Sequence, residues 1–259
     1  MNILVLMKMV PDIVEELEVG PDGKSLDPEF QRPIVSERDE HALEQALLLK
    51  ERCGGTVTAL ALDTQDADDV LFTALAKGCD RAVKVAGIDG PLATTEVASL
   101  LAKVIPAVPG LAPSDLILTG CWAIDDLDGM VGPLLAERLG MPYLGIVTGV
   151  GAKAGEGRVT VAKEYSGGVR GEFGVTLPAV LGIQASEKPP RYVPVAKVRA
   201  TMKSGKIDSV PAAAPDEASQ ISILQMKKPE AAGRAEMLEG GPEEVAAKVL
   251  DLLSARGLV

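Results

Sequence analysis

The feature that most narrows what this chain can become is an alternation of short apolar runs with longer segments of helical periodicity. Residues 2–7 (Asn-Ile-Leu-Val-Leu-Met) form a brief apolar, β-branched run ended by Lys8 and Pro11, the pattern of a strand buried on both faces. A helix to about Cys53 is expected next, with Asp39 as its cap. Ala42, Leu43, Ala46, Leu47 and Leu49 lie on one side of it, and Gly54-Gly55 stop it. The pattern returns as strand 57–62 and helix 66–77 with Gly78 at its end, then strand 82–85 and helix 91–105 with Pro91 in its first turn. Strand 115–119 and helix 129–139, closed by Gly140, follow. Such a chain is best satisfied by a doubly wound, mainly parallel sheet with helices on both faces.

The regularity changes after Tyr143. Segments 159–165 and 172–177 flank Ser166-Gly167-Gly168-Val169, a late hairpin, and 179–183 reads as another buried strand. Residues 13–27, around Pro21-Asp22-Gly23, read as an earlier hairpin excursion. From Ser186 onward the chain reads as irregular. Residues 211–219 have linker composition, and 242–256 form an amphipathic helix that starts at Pro242 and stops at Gly257. Its expected apolar stripe is Val245, Val249, Leu252 and Leu253, so an extended C-terminal arm ends in a helix suited to docking.

Charge decides which partners fit. The net charge of −11 argues against nucleic acid as a partner, because phosphate backbones need a basic face. The distribution is uneven: residues 1–70 carry sixteen acidic and six basic side chains, whereas 187–206 carry six basic ones against Glu187 alone. The second stretch suits either a solvated loop or a docking element for an acidic protein surface. One histidine, His41, and three scattered cysteines (Cys53, Cys79, Cys121) leave no basis for a multi-histidine metal site, a disulfide framework or histidine-based catalysis. His41, the cysteines and the methionines are therefore expected to serve packing. The opening residues lack the pattern of a signal peptide, and no apolar run is long enough for a membrane helix, so a cytoplasmic protein is expected.

Two stretches invite a nucleotide. Gly149-Val150-Gly151-Ala152-Lys153-Ala154 has the spacing of a dinucleotide fingerprint, but a strand follows where a helix is required, so it reads as a hairpin loop. Residues 119–134 lie between the fourth strand and its helix, where open α/β sheets bind ligands. Gly129 and Gly132 would admit a ligand close to the backbone, and the free N–H groups of the helix start would favour an anion. Asp125, Asp126 and Asp128 act against a phosphate unless they turn away, and only weakly suggest a divalent cation.

Several pieces in register resemble one family, the beta subunit of electron transfer flavoprotein. They are Lys8-Met9-Val10-Pro11-Asp12, Ala42 to Leu47, Ala74-Leu75-Ala76-Lys77-Gly78-Cys79-Asp80-Arg81-Ala82, Ala123-Ile124-Asp125, Val131-Gly132-Pro133, Leu177-Pro178-Ala179-Val180 and Pro190-Arg191-Tyr192. The resemblance implies three parts: an adenine-nucleotide-binding-like α/β domain over 1–186, a partner-docking region over 187–206, and an arm with its helix over 207–259 that packs on an alpha subunit. It implies FAD held mainly by alpha, and AMP or, in electron-bifurcating relatives that oxidise NADH, a second FAD in this subunit. It places Leu6, Ser36, Asp39, Leu62 and Gly129, Met130, Val131, Gly132, Pro133 and Leu134 around that nucleotide. It places Arg191, Tyr192, Val195 and Lys197 in a loop that docks an acyl-CoA dehydrogenase or similar flavoenzyme, with Val195 as apolar anchor. Electrons would pass on to an acceptor such as a membrane-bound quinone reductase, and the subunit would have no catalytic residue or metal of its own. The loop departs from the family pattern at Trp122, Asp128 and Met130, which leaves AMP, FAD or no nucleotide open for this subunit.

Overall fold

Alternate residues of a strand face opposite sides, and Ile3 to Met7 are all buried, so the first strand needs cover on both faces. The computed structural model supplies it, and describes residues 1–259 except 65, 89, 127, 217–221, 230–232, 234 and 236. In chain order come β1 (Asn2–Met7), β2 (Met9–Pro11), β3 (Pro33–Val35), α1 (Glu37–Cys53), β4 (Thr56–Leu62), α2 (Ala67–Lys77), β5 (Arg81–Ala86) and α3 (Thr94–Ala107). Then follow β6 (Leu116–Gly120), α4 (Val131–Leu139), β7 (Tyr143–Ala152), β8 (Arg158–Glu164), β9 (Arg170–Thr176), β10 (Ala179–Ile183), α5 (Val195–Ser204), β11 (Ile207–Pro211) and α6 (Pro242–Ala255).

The main sheet runs β11-β5-β4-β1-β6-β10-β7-β8-β9. Its strands pair in parallel from β11 to β7, and β8 and β9 extend it as an antiparallel hairpin. This is the doubly wound α/β architecture that the alternation requires. Strand alternation divides the core. Ile3, Val5, Met7, Leu116, Leu118 and Leu181 pack with Leu43, Leu47 and Leu71 of α1 and α2. Leu4, Leu6, Ile117 and Val180 pack with Leu100, Val104 and Leu135 of α3 and α4.

Several expectations need correction. Asp39 does not cap α1: Ser36 is the cap residue, and Asp39 sits inside the first turn with its side chain buried. Pro91 precedes α3 rather than starting it, and Glu96 reaches back to the Ala93 N–H to close the helix end. Gly149 to Ala152 are not a loop but the end of β7, paired with Val159 to Ala162, and the turn lies at 153–157. The segment after Ser186 is not irregular, because it contains α5 and then β11, which pairs in parallel with β5 at the sheet edge. The 13–27 excursion pairs its own halves only through an isolated antiparallel bridge, Val19 to Leu26. Residues 212–216 have no regular structure, and the rest of the expected linker, 217–219, lies outside the described residues.

The arm stays tied to the domain. Asp216 pairs with Lys103 at 2.5 Å and its N–H donates to Ser99 Oγ, while Lys228 pairs with Glu18. Cys79 and Cys121 are buried, as expected of small apolar side chains, and so is Met7. Met130, Met202 and Met237 are exposed instead. No helix among the described residues is long and apolar enough to cross a membrane.

Leu118 lies at the centre of the sheet and is fully buried against the α1 side. Leu118→Ala leaves a cavity that flanking strands cannot fill, and should cost about 3 kcal/mol of unfolding free energy in chemical denaturation.

Candidate functional site

Connections from β1 lead to β4 and β5 on one side, while β6 and β10 lie on the other. The winding therefore reverses between β1 and β6, and the crevice at which such sheets take ligands is expected beyond their carboxyl ends. The residues at this crevice come from four places: the β1–β2 junction, the first turn of α1, the β6–α4 loop and the end of β10.

The short β2–β3 pair folds the chain so that α1 begins beside the end of β1, with the Ser36 N–H donating to Lys8 O at 3.0 Å. Asp39, one turn on, then spans the crevice. Its Oδ2 accepts the Lys8 N–H at 3.0 Å and its Oδ1 accepts the Gly120 N–H at 2.9 Å, joining the ends of β1 and β6. Residue 120 must be glycine, because a Cβ there would lie 2.6 Å from Asp39 Oδ1 and 2.7 Å from Arg38 Cβ. Burial pushes the Asp39 carboxyl up to about 7, against the pull of the two N–H donors and the Lys8 charge.

Lys8 Nζ lies 2.7 Å from Asp125 and 3.3 Å from Asp126, clasping the β6–α4 loop to β1. Burial opposes the Lys8 charge, but the two carboxylates outweigh it and hold its pKa above the ordinary value. Asp126 also accepts the Ala123 N–H at 3.1 Å. Arg38 donates to Gln184 O at 2.8 Å and lies over the Trp122 ring, 5.2 Å from its centroid. Cys121 Sγ donates to Gln184 Oε1 at 2.9 Å, so β6, β10 and α1 meet here.

The nucleotide candidates divide as follows. Leu6 is buried near the end of β1 on the α3–α4 side, and Ser36 is buried at the head of α1. Leu62 is the last residue of β4, half-buried at the same edge of the sheet. Gly129 and Met130 lead into α4, and Val131, Gly132, Pro133 and Leu134 form its first turn. Arg38, Trp122 and Gln184 also converge on the crevice, and sequence reasoning did not single out Arg38 or Gln184. Neither has a motif; only the register of β6 with β10 brings Gln184 to the site.

The docking candidates separate in role. The Arg191 N–H and two of its guanidinium nitrogens bind Glu44 of α1, which is only 4% exposed, and the third guanidinium nitrogen binds Glu51 at 2.8 Å. Burial would raise the Glu44 pKa, but Arg191 outweighs it and holds it below the ordinary range. Arg191 is thus an anchor for the segment. Tyr192 and Val195 stand out from it, 83% and 62% exposed, and Lys197, Arg199 and Lys203 are exposed along α5. His41 serves the same junction through polar contacts rather than packing, its Nδ1 2.8 Å from Ser186 Oγ and accepting the Ser186 N–H at 3.2 Å.

Comparison with known proteins agrees with this architecture. The family model described as the electron transfer flavoprotein domain matches residues 29–215. An electron transfer flavoprotein subunit beta of Bacillus subtilis is 30% identical, with the whole of both chains covered. One from Syntrophomonas wolfei is 32% identical over 97% of this chain and 95% of the relative. An acryloyl-CoA reductase electron transfer subunit gamma of Anaerotignum propionicum is 32% identical over 74% of this chain and 71% of its own length.

Because the folded chain holds the Asp39 proton more tightly than the unfolded chain, this group makes stability fall as pH rises from about 4 through about 7. Asp39→Asn removes that titration and leaves one good acceptor for two donors, costing about 1 kcal/mol at the acid end. The wild-type urea midpoint should start above that of the variant near about pH 4 and fall below it by about pH 8, because ionising Asp39 withdraws more stability than the variant loses. Parallel pH profiles would show that Asp39 is ionised throughout.

Proposed function

Because the chain belongs to the electron transfer flavoprotein family as a beta subunit, we propose that it forms a heterodimer with an alpha subunit and carries electrons as part of that complex. In this reading the donors are acyl-CoA dehydrogenase-type flavoenzymes and the acceptor is a quinone reductase or a similar protein. FAD, held mainly by alpha, supplies the redox chemistry, and this chain supplies position and electrostatics.

The observation that carries the reading is the pair of apolar surfaces left outside the core. α6 buries none of its residues in this chain, and Val249, Leu250 and Leu252 are exposed on it. A helix whose apolar side chains face solvent needs a partner, and an alpha subunit meets that need. Tyr192 and Val195 form the second surface, an apolar tip followed by the basic side chains of α5. The tip would fill a pocket on a dehydrogenase, while Lys197, Arg199 and Lys203 speed encounter with an acidic face. Arg191, fixed to Glu44 and Glu51, holds the base of that tip rigid.

Val195→Asp should raise the KM for the dehydrogenase by roughly tenfold while the flavin content of the heterodimer stays unchanged. Loss of flavin in this variant would place Val195 at the cofactor and end the docking role. Flavin stoichiometry tests the carrier reading itself: one FAD per heterodimer is expected, and two would establish the bifurcating alternative.

A further inference from the structure

We infer that the Asp128 carboxylate stands in for a phosphate at the amino end of α4, and that this subunit thereby excludes AMP and the pyrophosphate of a second FAD from its crevice. The inference takes the kind of ligand from the beta-subunit reading, but not the direction or partners of electron flow.

A helix start at a switch point binds phosphate through its free N–H groups. In this chain Asp128 Oδ1 already accepts the Met130 N–H, at 2.9 Å, immediately before α4. Its Oδ2 accepts the Thr94 hydroxyl at 2.8 Å, so the carboxylate also ties α4 to the first residue of α3. One negatively charged group, held by the Met130 N–H and the Thr94 hydroxyl, thus stands directly before the first turn of α4, whose N–H groups a phosphate would need. A phosphate added beside it meets a like charge, and Pro133 in the first turn offers no N–H in exchange.

The two glycines that suggest a phosphate cradle are used by the fold itself. Gly129 has φ +62°, and a Cβ there would lie 2.5 Å from the Cys121 carbonyl oxygen. Gly132 lies under Tyr143, where a Cβ would come within 2.8 Å of the ring. Their small size allows the loop and α4 to close onto β6 and β7, so neither leaves room assigned to a ligand. The nearby lysine is also committed, since Lys8 is paired with Asp125 and Asp126. The residues present therefore do not fit a nucleotide phosphate.

The test uses the full chain purified without added nucleotide. Mass spectrometry of the released small molecules should find no stoichiometric AMP or FAD, and equilibrium dialysis with radiolabelled AMP should give a dissociation constant weaker than about 1 mM. Asp128→Ser keeps a small polar acceptor near the Met130 N–H and removes the charge, so AMP should bind roughly tenfold more tightly or better. Asp128→Glu, which keeps the charge, should behave as wild type. Asp128 is exposed, so unchanged circular dichroism is expected in both variants. Stoichiometric nucleotide in the wild type, or an Asp128→Ser variant that binds AMP no better, would overturn the inference. Neither result bears on electron carriage, which fails separately if the heterodimer lacks flavin or transfers no electrons.

Discussion

The carboxylate of Asp39 is the interaction on which the rest of the crevice depends. β1 and β6 are neighbours for only three register pairs, Ile3 to Val5 with Leu116 to Leu118, and beyond these their ends leave backbone N–H groups without a ladder partner. Asp39 accepts one such group from each strand, at Lys8 and at Gly120. That sets where Lys8 projects, and Lys8 in turn sets where the loop with Asp125 and Asp126 lies. The bare backbone of Gly120 makes the approach possible, and α1 fixes the depth of the carboxylate because Ser36 is pinned to Lys8.

The same loop has its charges met by partners within the chain. Three aspartates in four positions look like electrostatic repulsion waiting for a cation. Instead, Lys8 compensates two of them, and the third accepts the Met130 N–H just before α4 and the Thr94 hydroxyl. Midway along α1, Arg191 compensates the buried charge of Glu44, an arrangement in which losing either partner would strand the other. The −10 net charge of residues 1–70 is thus partly consumed by cations from distant parts of the chain, and does not describe a uniform acidic surface.

The sheet, its helices and the late hairpin were legible because burial on two faces forces near-continuous apolar strands, and burial on one face forces helical spacing. The misses have physical causes. α5 has no buried residue and lies among Pro189, Pro190 and Pro194, so no apolar periodicity marks it. β11 is an edge strand that reads as polar and is recruited by β5. Pro91 looked like a helix start, but the Ala93 N–H with Glu96 closes α3 two residues later. At the crevice, Asp39 was singled out as a cap on local grounds. Its bonds to residues 31 and 81 positions away cannot be read from local pattern.

The sequence alone determined the layering of the fold and the family, because strand and helix periods and a run of motifs in order are local properties. It also singled out the acidic loop, the basic segment and the apolar terminal helix as candidate functional places. Only the tertiary structure decided what those charges do. Asp128 meets a helix start, Arg191 meets Glu44, and Val195 is left exposed, because each outcome depends on which distant backbone or side chain the sheet order brings within bonding distance.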